Sequence, residues 1–302
     1  MLIVAALGGN ALLRRGEPMS ADLMQANLRI AAAALAPIAR QHQLILTHGN
    51  GPQIGLLALQ AAAWTAVEPY PLDLLGAQTE GMIGYLLCRE LSNLLGDTPV
   101  VGMLTQTLVS SRDPAFESPN KFIGPTYDQA SAERIGKQTG FTFKPDGRQW
   151  RRVVASPEPQ KIVELAAIRL LSASGAVVVC AGGGGVPVTT APDGTRIGVE
   201  AVLDKDLASS RLACELNADV LLLLTDVDGI YRSWGEPDAS RIECISAQDL
   251  AELTLPEGSM APKAKAACGF IRNNGTLAVI GAMTDASALL HGNAGTRVVK
   301  PA

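Results

Sequence analysis

Three lysines stand in sequence contexts that suit the chemistry of phosphoryl transfer. Lys205 lies in the run Val-Leu-Asp-Lys-Asp at the start of a predicted helix, and Lys263 opens another helix after Met-Ala-Pro. Lys121 lies between two prolines in a stretch rich in aromatic residues. Phosphoryl transfer spreads negative charge over the moving group, so a protein has mainly to supply positioned cations and backbone donors. An isolated lysine is usually a surface residue, but these three predict a site for a phosphorylated ligand.

Glycine clusters support this interpretation, because each of them directly follows an apolar run typical of a buried strand. The clusters are Gly8-Gly9-Asn10, Gly49-Asn50-Gly51-Pro52 and Gly182-Gly183-Gly184-Gly185. Glycine lets the backbone approach an anion closely, and a following helix N-terminus presents unpaired N–H groups. A single cluster could be a turn between a strand and a helix. Three clusters at the carboxyl ends of parallel strands indicate one nucleotide-sized crevice.

Carboxylates lie near the same residues. They are Asp204, Asp206, Asp226 and Asp228. Beside a phosphate site such groups can bind Mg²⁺ or orient lysine side chains. Asp226 and Asp228 follow the strongest predicted strand and are equally typical of a turn. Their role therefore stays open at this point.

Missing motifs disfavour several other chemistries. The sequence contains no G-x-x-x-x-G-K-[ST], no G-x-S-x-G and no H-E-x-x-H, and the glycines at 49–51 lack the third glycine of a dinucleotide fingerprint. His48, beside the second cluster, is predicted to make a structural hydrogen bond rather than to act in acid–base catalysis. The sequence therefore disfavours a P-loop ATPase, a Rossmann dehydrogenase, a serine hydrolase with the G-x-S-x-G motif and a zinc protease.

The composition narrows the possible partners and the expected location. With 25 basic and 29 acidic residues and a net charge of −4, the chain shows no sign of a nucleic-acid partner. The five cysteines include no C-x-x-C pair, which disfavours a disulfide framework or a zinc site and favours a reducing cytoplasm. The apolar runs fall short of the roughly 20 residues of a membrane span. We expect a soluble cytoplasmic protein.

The elements that would position these residues alternate between strands and helices. Strands are predicted at 2–7, 44–47, 176–181, 220–225, 276–281 and 297–299. Helices are predicted from Ser20 to about 40, and at about 52–64, 77–95, 157–174 and 200–217. Such alternation predicts an α/β fold with a mainly parallel sheet covered by helices on both faces.

Residues 113–152 break this alternation. They contain four prolines and six of the twelve aromatic residues of the chain. Because a disordered linker is poor in aromatic residues, we expect a small folded excursion with its own core that covers the crevice as a lid. The alternative is a long ordered loop packed on the main body.

The chain resembles the carbamate kinases of the amino acid kinase family along essentially its whole length. The matching segments, in the same order and spacing, are 6–11, 48–53, 121–125, 153–157, 182–187, 200–206 and 258–263. The resemblance implies one three-layer α/β/α domain over 1–302 with an open, mainly parallel sheet, and a homodimer. It assigns 1–112 and 153–175 to the acceptor-substrate half, 113–152 to a protruding lid subdomain and 176–302 to the ATP-binding half.

The resemblance also implies roles for individual residues. Lys205 and Lys263 would stabilise the phosphates, Asp206 would orient lysines, and Lys121 would reach in from the lid. Most amino acid kinases carry a lysine at the position of Ala6, and in carbamate kinases the subdomain lysine takes its place. The residues expected to hold the acceptor and the moving phosphoryl group are Gly8, Gly9, Asn10, Gly49, Asn50 and Gly51. Those expected at ATP are Gly183, Gly184, Asp226, Val227, Tyr231, Met260 and Pro262.

The implied reaction is reversible, Mg²⁺-dependent transfer between ATP plus carbamate and ADP plus carbamoyl phosphate. In the cell it would form ATP during the breakdown of nitrogen compounds such as arginine or purines. The chain departs from the commoner family pattern at Phe122, usually proline, and at 226–229. Two alternatives stay open: a kinase for another small carboxylate, and an inactive nucleotide-binding regulator. No metal site made directly by protein ligands is expected.

Overall fold

The computed structural model describes residues 1–9, 12–13, 17–64, 66–236, 238–256 and 260–301. The strands are β1 (Leu2–Leu7), β2 (Gln43–His48), β3 (Val100–Gly102), β4 (Gln106–Leu108), β5 (Lys121–Tyr127), β6 (Phe143–Asp146), β7 (Gln149–Val154), β8 (Lys161–Ile162), β9 (Val177–Val179), β10 (Val186–Thr190), β11 (Arg196–Gly198), β12 (Val220–Thr225), β13 (Tyr231–Arg232), β14 (Ser240–Arg241), β15 (Cys244–Ser246), β16 (Leu277–Ala282) and β17 (Thr296–Val299). The helices are α1 (Ala21–Gln41), α2 (Gly51–Ala63), α3 (Leu72–Leu95), α4 (Gln129–Thr139), α5 (Leu165–Ala173), α6 (Lys205–Leu216), α7 (Ala247–Glu252), α8 (Met260–Arg272) and α9 (Ala286–Leu290).

The central sheet has the strand order β15-β17-β16-β12-β1-β2-β9-β3. Its pairs are parallel, except that β17 runs antiparallel to β16. Alternate residues of β1 face opposite sides of the sheet. Ile3, Ala5 and Leu7 pack with α1 and α3, whereas Val4 and Ala6 pack with α6 and α8. The predicted three-layer α/β/α fold with a mainly parallel sheet is confirmed.

Most predicted elements lie within a few residues of the observed ones. Helix α1 begins after Ser20, whose hydroxyl accepts a hydrogen bond from the Leu23 N–H at 3.3 Å, as expected for an N-cap. Helix α3 begins earlier than predicted, directly after Pro71. Helix α6 begins later, because 199–203 is held in an extended form; there Val202 donates to the Ala155 carbonyl at 3.0 Å.

The helix predicted at 157–174 is wrong in its first half. Lys161 and Ile162 form β8, which pairs antiparallel with β4, and helix α5 begins at Leu165. Ile162 is fully buried beneath α6, where its N–H donates to Glu215 at 3.1 Å. Tertiary pairing therefore overrides the local helical pattern at this point. Strands β11, β10, β4 and β8 form a small second sheet.

The excursion is a folded unit, as predicted, and not a long irregular loop. Strands β5, β7 and β6 form an antiparallel sheet on which α4 packs. Tyr127 and Phe143 meet edge to face with ring centroids 5.7 Å apart, and the Arg152 guanidinium lies 3.4 Å from the centre of the Phe141 ring. Strand β7 runs to Val154, beyond the predicted end at residue 152.

No helix in the described ranges is both long enough and apolar enough to cross a membrane.

Candidate functional site

The first two glycine clusters lie side by side at the carboxyl ends of β1 and β2. Gly8 N–H donates to the Leu224 carbonyl at 3.0 Å, and Gly49 N–H donates to the Leu7 carbonyl at 3.1 Å. A Cβ atom at Gly8 would lie 2.9 Å from that Leu224 oxygen, so the close strand approach requires glycine there. A Cβ at Gly9 or Gly51 would meet no protein atom within 4 Å. The backbone at Gly9 and Gly51 therefore borders open space that a ligand can fill.

Asn10 was predicted to contribute to the same loop, but it lies outside the described residues. Asn50 is buried at the start of α2, and its side-chain amide donates to the Thr79 hydroxyl at 2.9 Å. This contact fixes the second cluster to helix α3.

One buried carboxylate joins the two predicted phosphate-binding lysines. Asp206 contacts Lys205 Nζ through Oδ1, and its Oδ2 lies 3.0 Å from Lys263 Nζ. All three residues are buried, at the first turns of α6 and α8. The Lys205 side chain also approaches the second glycine cluster, since a Cβ at Gly49 would lie 3.5 Å from Lys205 Cδ. The cluster therefore places Lys205 beside the second glycine cluster and links Lys263 to it through Asp206.

Burial and charge act against each other in this cluster. Burial lowers the pKa of Lys205 to about 8, although Asp206 favours its charged form. Burial also opposes the charged form of Lys263, but nearby carboxylates, Asp206 first, outweigh it and raise the pKa of Lys263. Asp206 is buried as well, yet the two ammonium groups hold its pKa below the ordinary range. Two cations share one anion, so the cluster carries net positive charge near neutral pH and attracts an anionic ligand.

Lys121 reaches the same place from the excursion. Its Nζ lies 2.5 Å from Oδ2 of Asp204, the residue that caps α6 by accepting from the Asp206 N–H at 2.9 Å. Burial raises the pKa of Asp204, but Lys121 outweighs it and the net shift is downward. The structure thus brings all three predicted lysines to the N-terminus of α6.

The third glycine cluster is enclosed by protein. Gly183 and Gly184 are buried; a Cβ at Gly183 would lie 2.1 Å from the Asn50 amide nitrogen, and one at Gly184 would lie 2.6 Å from Leu203 Cβ. The cluster leads into β10 and not into a helix, which corrects the expectation that each cluster precedes a helix N-terminus. It packs against the second cluster, and the predicted contact of Gly183 and Gly184 with ATP remains a prediction.

The residues predicted to surround the adenosine lie around the end of β12 and the start of α8. They are Asp226, Val227, Tyr231, Met260 and Pro262, all at least partly accessible. Tyr231 donates its hydroxyl hydrogen to Asp228, 3.0 Å from either carboxylate oxygen, and its ring meets Trp234 edge to face at 5.0 Å. Trp234 is 62% exposed. Nothing in the sequence gives a reason to assign a role to Trp234, because an isolated aromatic residue in a turn belongs to no motif or periodic pattern.

His48 has the structural role that the sequence predicted. Its ring is fully buried, with Nδ1 2.9 Å from the Gly49 carbonyl. Burial lowers its pKa to about 4, so the ring is neutral at physiological pH.

Glu80 is a buried residue near the site that the sequence analysis missed. It lies on the inward face of α3 and accepts backbone hydrogen bonds from Gly182 at 2.8 Å and Thr105 at 3.1 Å. Burial raises its pKa to about 8 despite these bonds. The one sequence signal that could have pointed to Glu80 is an acidic residue within an otherwise apolar helical face.

A resident metal ion does not fit the side chains that the structure describes. These ranges hold no group of three or more His, Cys, Asp or Glu residues that could bind a metal ion. Asp206, the most central carboxylate, is already engaged by two lysines.

Comparison with known proteins agrees with this arrangement. The amino acid kinase family profile matches residues 1–282. Carbamate kinase from Rhizobium meliloti is 51% identical over 299 residues, covering 98% of this chain and 92% of that protein. Carbamate kinase from Haemophilus influenzae is 47% identical, covering 99% of this chain and 97% of that protein.

The same relationship holds for solved structures. Carbamate kinase from Giardia lamblia bound to AMP-PNP is 36% identical and superposes with a TM-score of 0.90, covering 99% of this chain and 98% of that one. The structure of that enzyme bound to citric acid gives a TM-score of 0.94, also at 36% identity. The chain therefore belongs to the amino acid kinase family, within which its relatives are carbamate kinases, and it is a kinase.

Proposed function

We propose that this protein transfers a phosphoryl group reversibly between ATP and carbamate, giving ADP and carbamoyl phosphate, in the manner of its carbamate kinase relatives. The observation that supports this most strongly is the buried Lys205–Asp206–Lys263 cluster, whose Lys205 approaches Gly49 between the open backbone of Gly9 and that of Gly51. It supplies fixed cations and backbone donors, the groups that phosphoryl transfer needs.

The chemistry proceeds by in-line attack of a carbamate oxygen on the γ-phosphorus. The P–O bond to ADP breaks as the new P–O bond forms, and the leaving electrons stay on the ADP oxygen. Carbamate is already an anion, so no general base is required. This agrees with a site where the nearest histidine, His48, is buried and neutral.

The three lysines divide the charge between them. Lys205 and Lys263 face the equatorial oxygens of the moving group, and Asp206 keeps both side chains in place. Lys121 gives up Asp204 when phosphates arrive and takes the position that a lysine at Ala6 would otherwise fill. Gly8, Gly9, Gly49 and Gly51 hold the acceptor and the phosphoryl group through backbone N–H donors.

Magnesium is proposed as part of the nucleotide substrate. When bound, it would supply positive charge that offsets the charge of the phosphates. The Asp206 carboxylate, held by its two lysines, orients those cations and does not ligate the ion.

We further propose that the acceptor and nucleotide occupy different halves of the site. The acceptor lies over β1 and β2, and the adenosine lies near Tyr231, Met260 and Pro262. The Giardia lamblia carbamate kinase has been solved with AMP-PNP, which supports a nucleotide substrate here. In the cell, the proposed direction is ATP formation from carbamoyl phosphate.

A homodimer is proposed from an apolar stripe on α3. Leu74, Met82 and Tyr85 repeat at helical spacing on the outer face of the helix, and Tyr70 precedes it. Tyr85 is 61% exposed, and a row of exposed large apolar side chains on one face marks an interaction surface. Sedimentation of the wild-type protein and of Tyr85→Glu tests this: the variant is expected to dissociate.

The catalytic proposal is tested by replacing Lys263 with alanine and following ATP formation from ADP and carbamoyl phosphate by ³¹P NMR. Loss of one electrostatic donor is expected to lower kcat by roughly 10²-fold or more while ADP binding persists. Lys265→Ala is the matched control, because Lys265 lies on the same helix with an exposed side chain paired to Glu158 at 3.3 Å. Equal kcat in both variants would contradict the role of Lys263.

A further inference from the structure

We propose that Glu80 is a positioning residue for the acceptor site, acting through the third glycine cluster on Asn50; this rests on the proposed function. Glu80 does not line the open space itself. It lies on α3 behind the glycine loops, and its effect on catalysis is carried by the backbone that it holds.

The Glu80 carboxyl group joins two separate chain segments. Oε1 accepts from the Gly182 N–H at 2.8 Å, and Oε2 accepts from the Thr105 N–H at 3.1 Å. Thr105 in turn uses its hydroxyl oxygen to accept from the Ala181 N–H at 3.0 Å. Both carboxyl oxygens therefore accept from backbone donors at the base of the third cluster.

The cluster is packed too closely to move independently of its neighbours. A Cβ at Gly182 would lie 2.4 Å from the His48 ring and 2.9 Å from Glu80 Cγ, and one at Gly183 would lie 2.1 Å from the Asn50 amide nitrogen. His48 and Asn50 are the residues on either side of Gly49 in the second cluster. A shift at Gly182 must therefore displace the backbone that borders the acceptor.

Helix α3 also holds the second cluster directly. Thr79, adjacent to Glu80, accepts the Asn50 side-chain amide at 2.9 Å and donates its own hydroxyl hydrogen to the Gly76 carbonyl at 2.8 Å. Two consecutive residues of one helix thus anchor two glycine clusters. Tyr231, Met260 and Pro262, predicted near the adenosine, belong to other elements. Gly183 and Gly184, also predicted at ATP, are enclosed by Asn50 and Leu203, so the influence of Glu80 passes through Asn50 to the acceptor side.

The role proposed for Glu80 depends on its two hydrogen-bond acceptor oxygens and not only on the volume that its side chain fills. With a pKa of about 8 Glu80 is largely protonated at neutral pH, yet both oxygens of a carboxyl group can still accept hydrogen bonds. A glutamine of the same size offers one acceptor oxygen and an NH₂ group that would face a backbone N–H donor. That mismatch leaves a buried donor without a partner, which is costly in a closed environment. Glu80→Gln therefore tests the pair of acceptor oxygens with little change in volume.

The experiment compares steady-state ATP formation by wild type, Glu80→Gln and Glu90→Gln, varying carbamoyl phosphate and ADP separately. Glu90 is the matched control, a second buried carboxylate on α3 that pairs with Arg89 at 2.8 Å and Arg29 at 3.4 Å. A loop that shifts to relieve one unpaired buried donor misplaces the acceptor, which predicts a loss in kcat/KM for carbamoyl phosphate of roughly tenfold or more. We expect this loss in Glu80→Gln with an unchanged KM for ADP, and neither effect in Glu90→Gln.

Other outcomes are equally informative. A folded Glu80→Gln with wild-type constants, or one in which both substrates are affected alike, would overturn the positioning role. If Glu80→Gln fails to fold, Thr79→Val removes the hydroxyl that anchors Asn50, together with its local bond to the Gly76 carbonyl, and must show the same selective loss. Wild-type protein inactive with carbamoyl phosphate would refute the proposed function itself, which is a distinct result.

Discussion

Gly55 of helix α2 and Gly124 of strand β5 touch backbone to backbone. A Cβ atom added to Gly55 would lie 2.0 Å from the Gly124 Cα and 2.1 Å from its nitrogen. Gly124 itself has a φ of 71°, at an irregularity in the pairing of β5 with β7. The excursion that carries Lys121 is therefore seated directly on the helix that follows the second glycine cluster.

Gly55→Ala is expected to push the excursion away from α2 and to withdraw Lys121 from the site. A misplacement of about 1 Å can lower a rate by roughly 10²-fold, so kcat should fall by that order while ADP binding, measured by calorimetry, is kept. Gly84→Ala is the control, since a Cβ there meets no atom within 4 Å. Normal turnover by Gly55→Ala would show that this contact does not set the position of Lys121.

Lys121→Ala should leave the protein folded and able to bind ADP, while turnover falls by roughly 10²-fold, as for loss of one electrostatic donor. Lys144→Ala removes an exposed lysine from the same small sheet and should have no effect. Hydrogen exchange in residues 113–152 should also slow when ADP and a carbamoyl phosphate analogue are bound together. A Lys121→Ala enzyme with near-normal turnover would remove the excursion lysine from the mechanism.

The lowered pKa of Lys205 predicts an alkaline limit to activity. With a pKa of about 8, this ammonium loses its proton as the pH rises through that value, whereas an ordinary lysine stays charged. We expect kcat/KM for carbamoyl phosphate to fall above about pH 8. Lys205→Arg keeps the positive charge at this position. The alkaline fall in kcat/KM should therefore move to higher pH in this variant, even if its maximal rate is lower. An unchanged alkaline limb in that variant would assign the titration to another group.

His48 predicts a loss of stability in acid. Its pKa is about 4 in the folded protein, against an ordinary value of 6.5. Between these values the unfolded chain binds a proton that the folded chain does not, so the free energy of unfolding falls as the pH falls through this window. The full loss is roughly 3 kcal/mol below pH 4. Denaturant unfolding from pH 7 to 4 measures this loss. The free energy of unfolding of His48→Gln should lack it, whereas His291→Gln, which replaces an exposed histidine, should show it.

The sequence predicted the fold well where its signals are local. The apolar run at 220–225 is a strand with the predicted bounds, and Ser20 caps α1 as expected. Lys121, Lys205 and Lys263 were found from charge chemistry and family resemblance, and the structure brings them together. In contrast, β8 depends on pairing with a distant strand, and no local pattern at Lys161 and Ile162 encodes it.

Other features of the site depend on three-dimensional packing. The sequence shows four glycines at 182–185 but not that Asn50, His48 and Glu80 enclose them. Likewise, Gly55 is an unremarked residue of a helical pattern until its contact with Gly124 is seen. Close backbone approaches and buried hydrogen bonds between distant segments leave no periodic trace in a single sequence.

The proposed activity is transfer of a phosphoryl group to and from carbamate, a small carboxylate-type acceptor. Its most direct test is the kcat/KM for ATP formation from ADP and magnesium with carbamoyl phosphate, set against acetyl phosphate and longer acyl phosphates under identical conditions. We predict that carbamoyl phosphate is the preferred donor and that Lys205→Ala abolishes most of this rate. Preference for a longer acyl phosphate, or no turnover by correctly folded wild-type protein, would contradict the account.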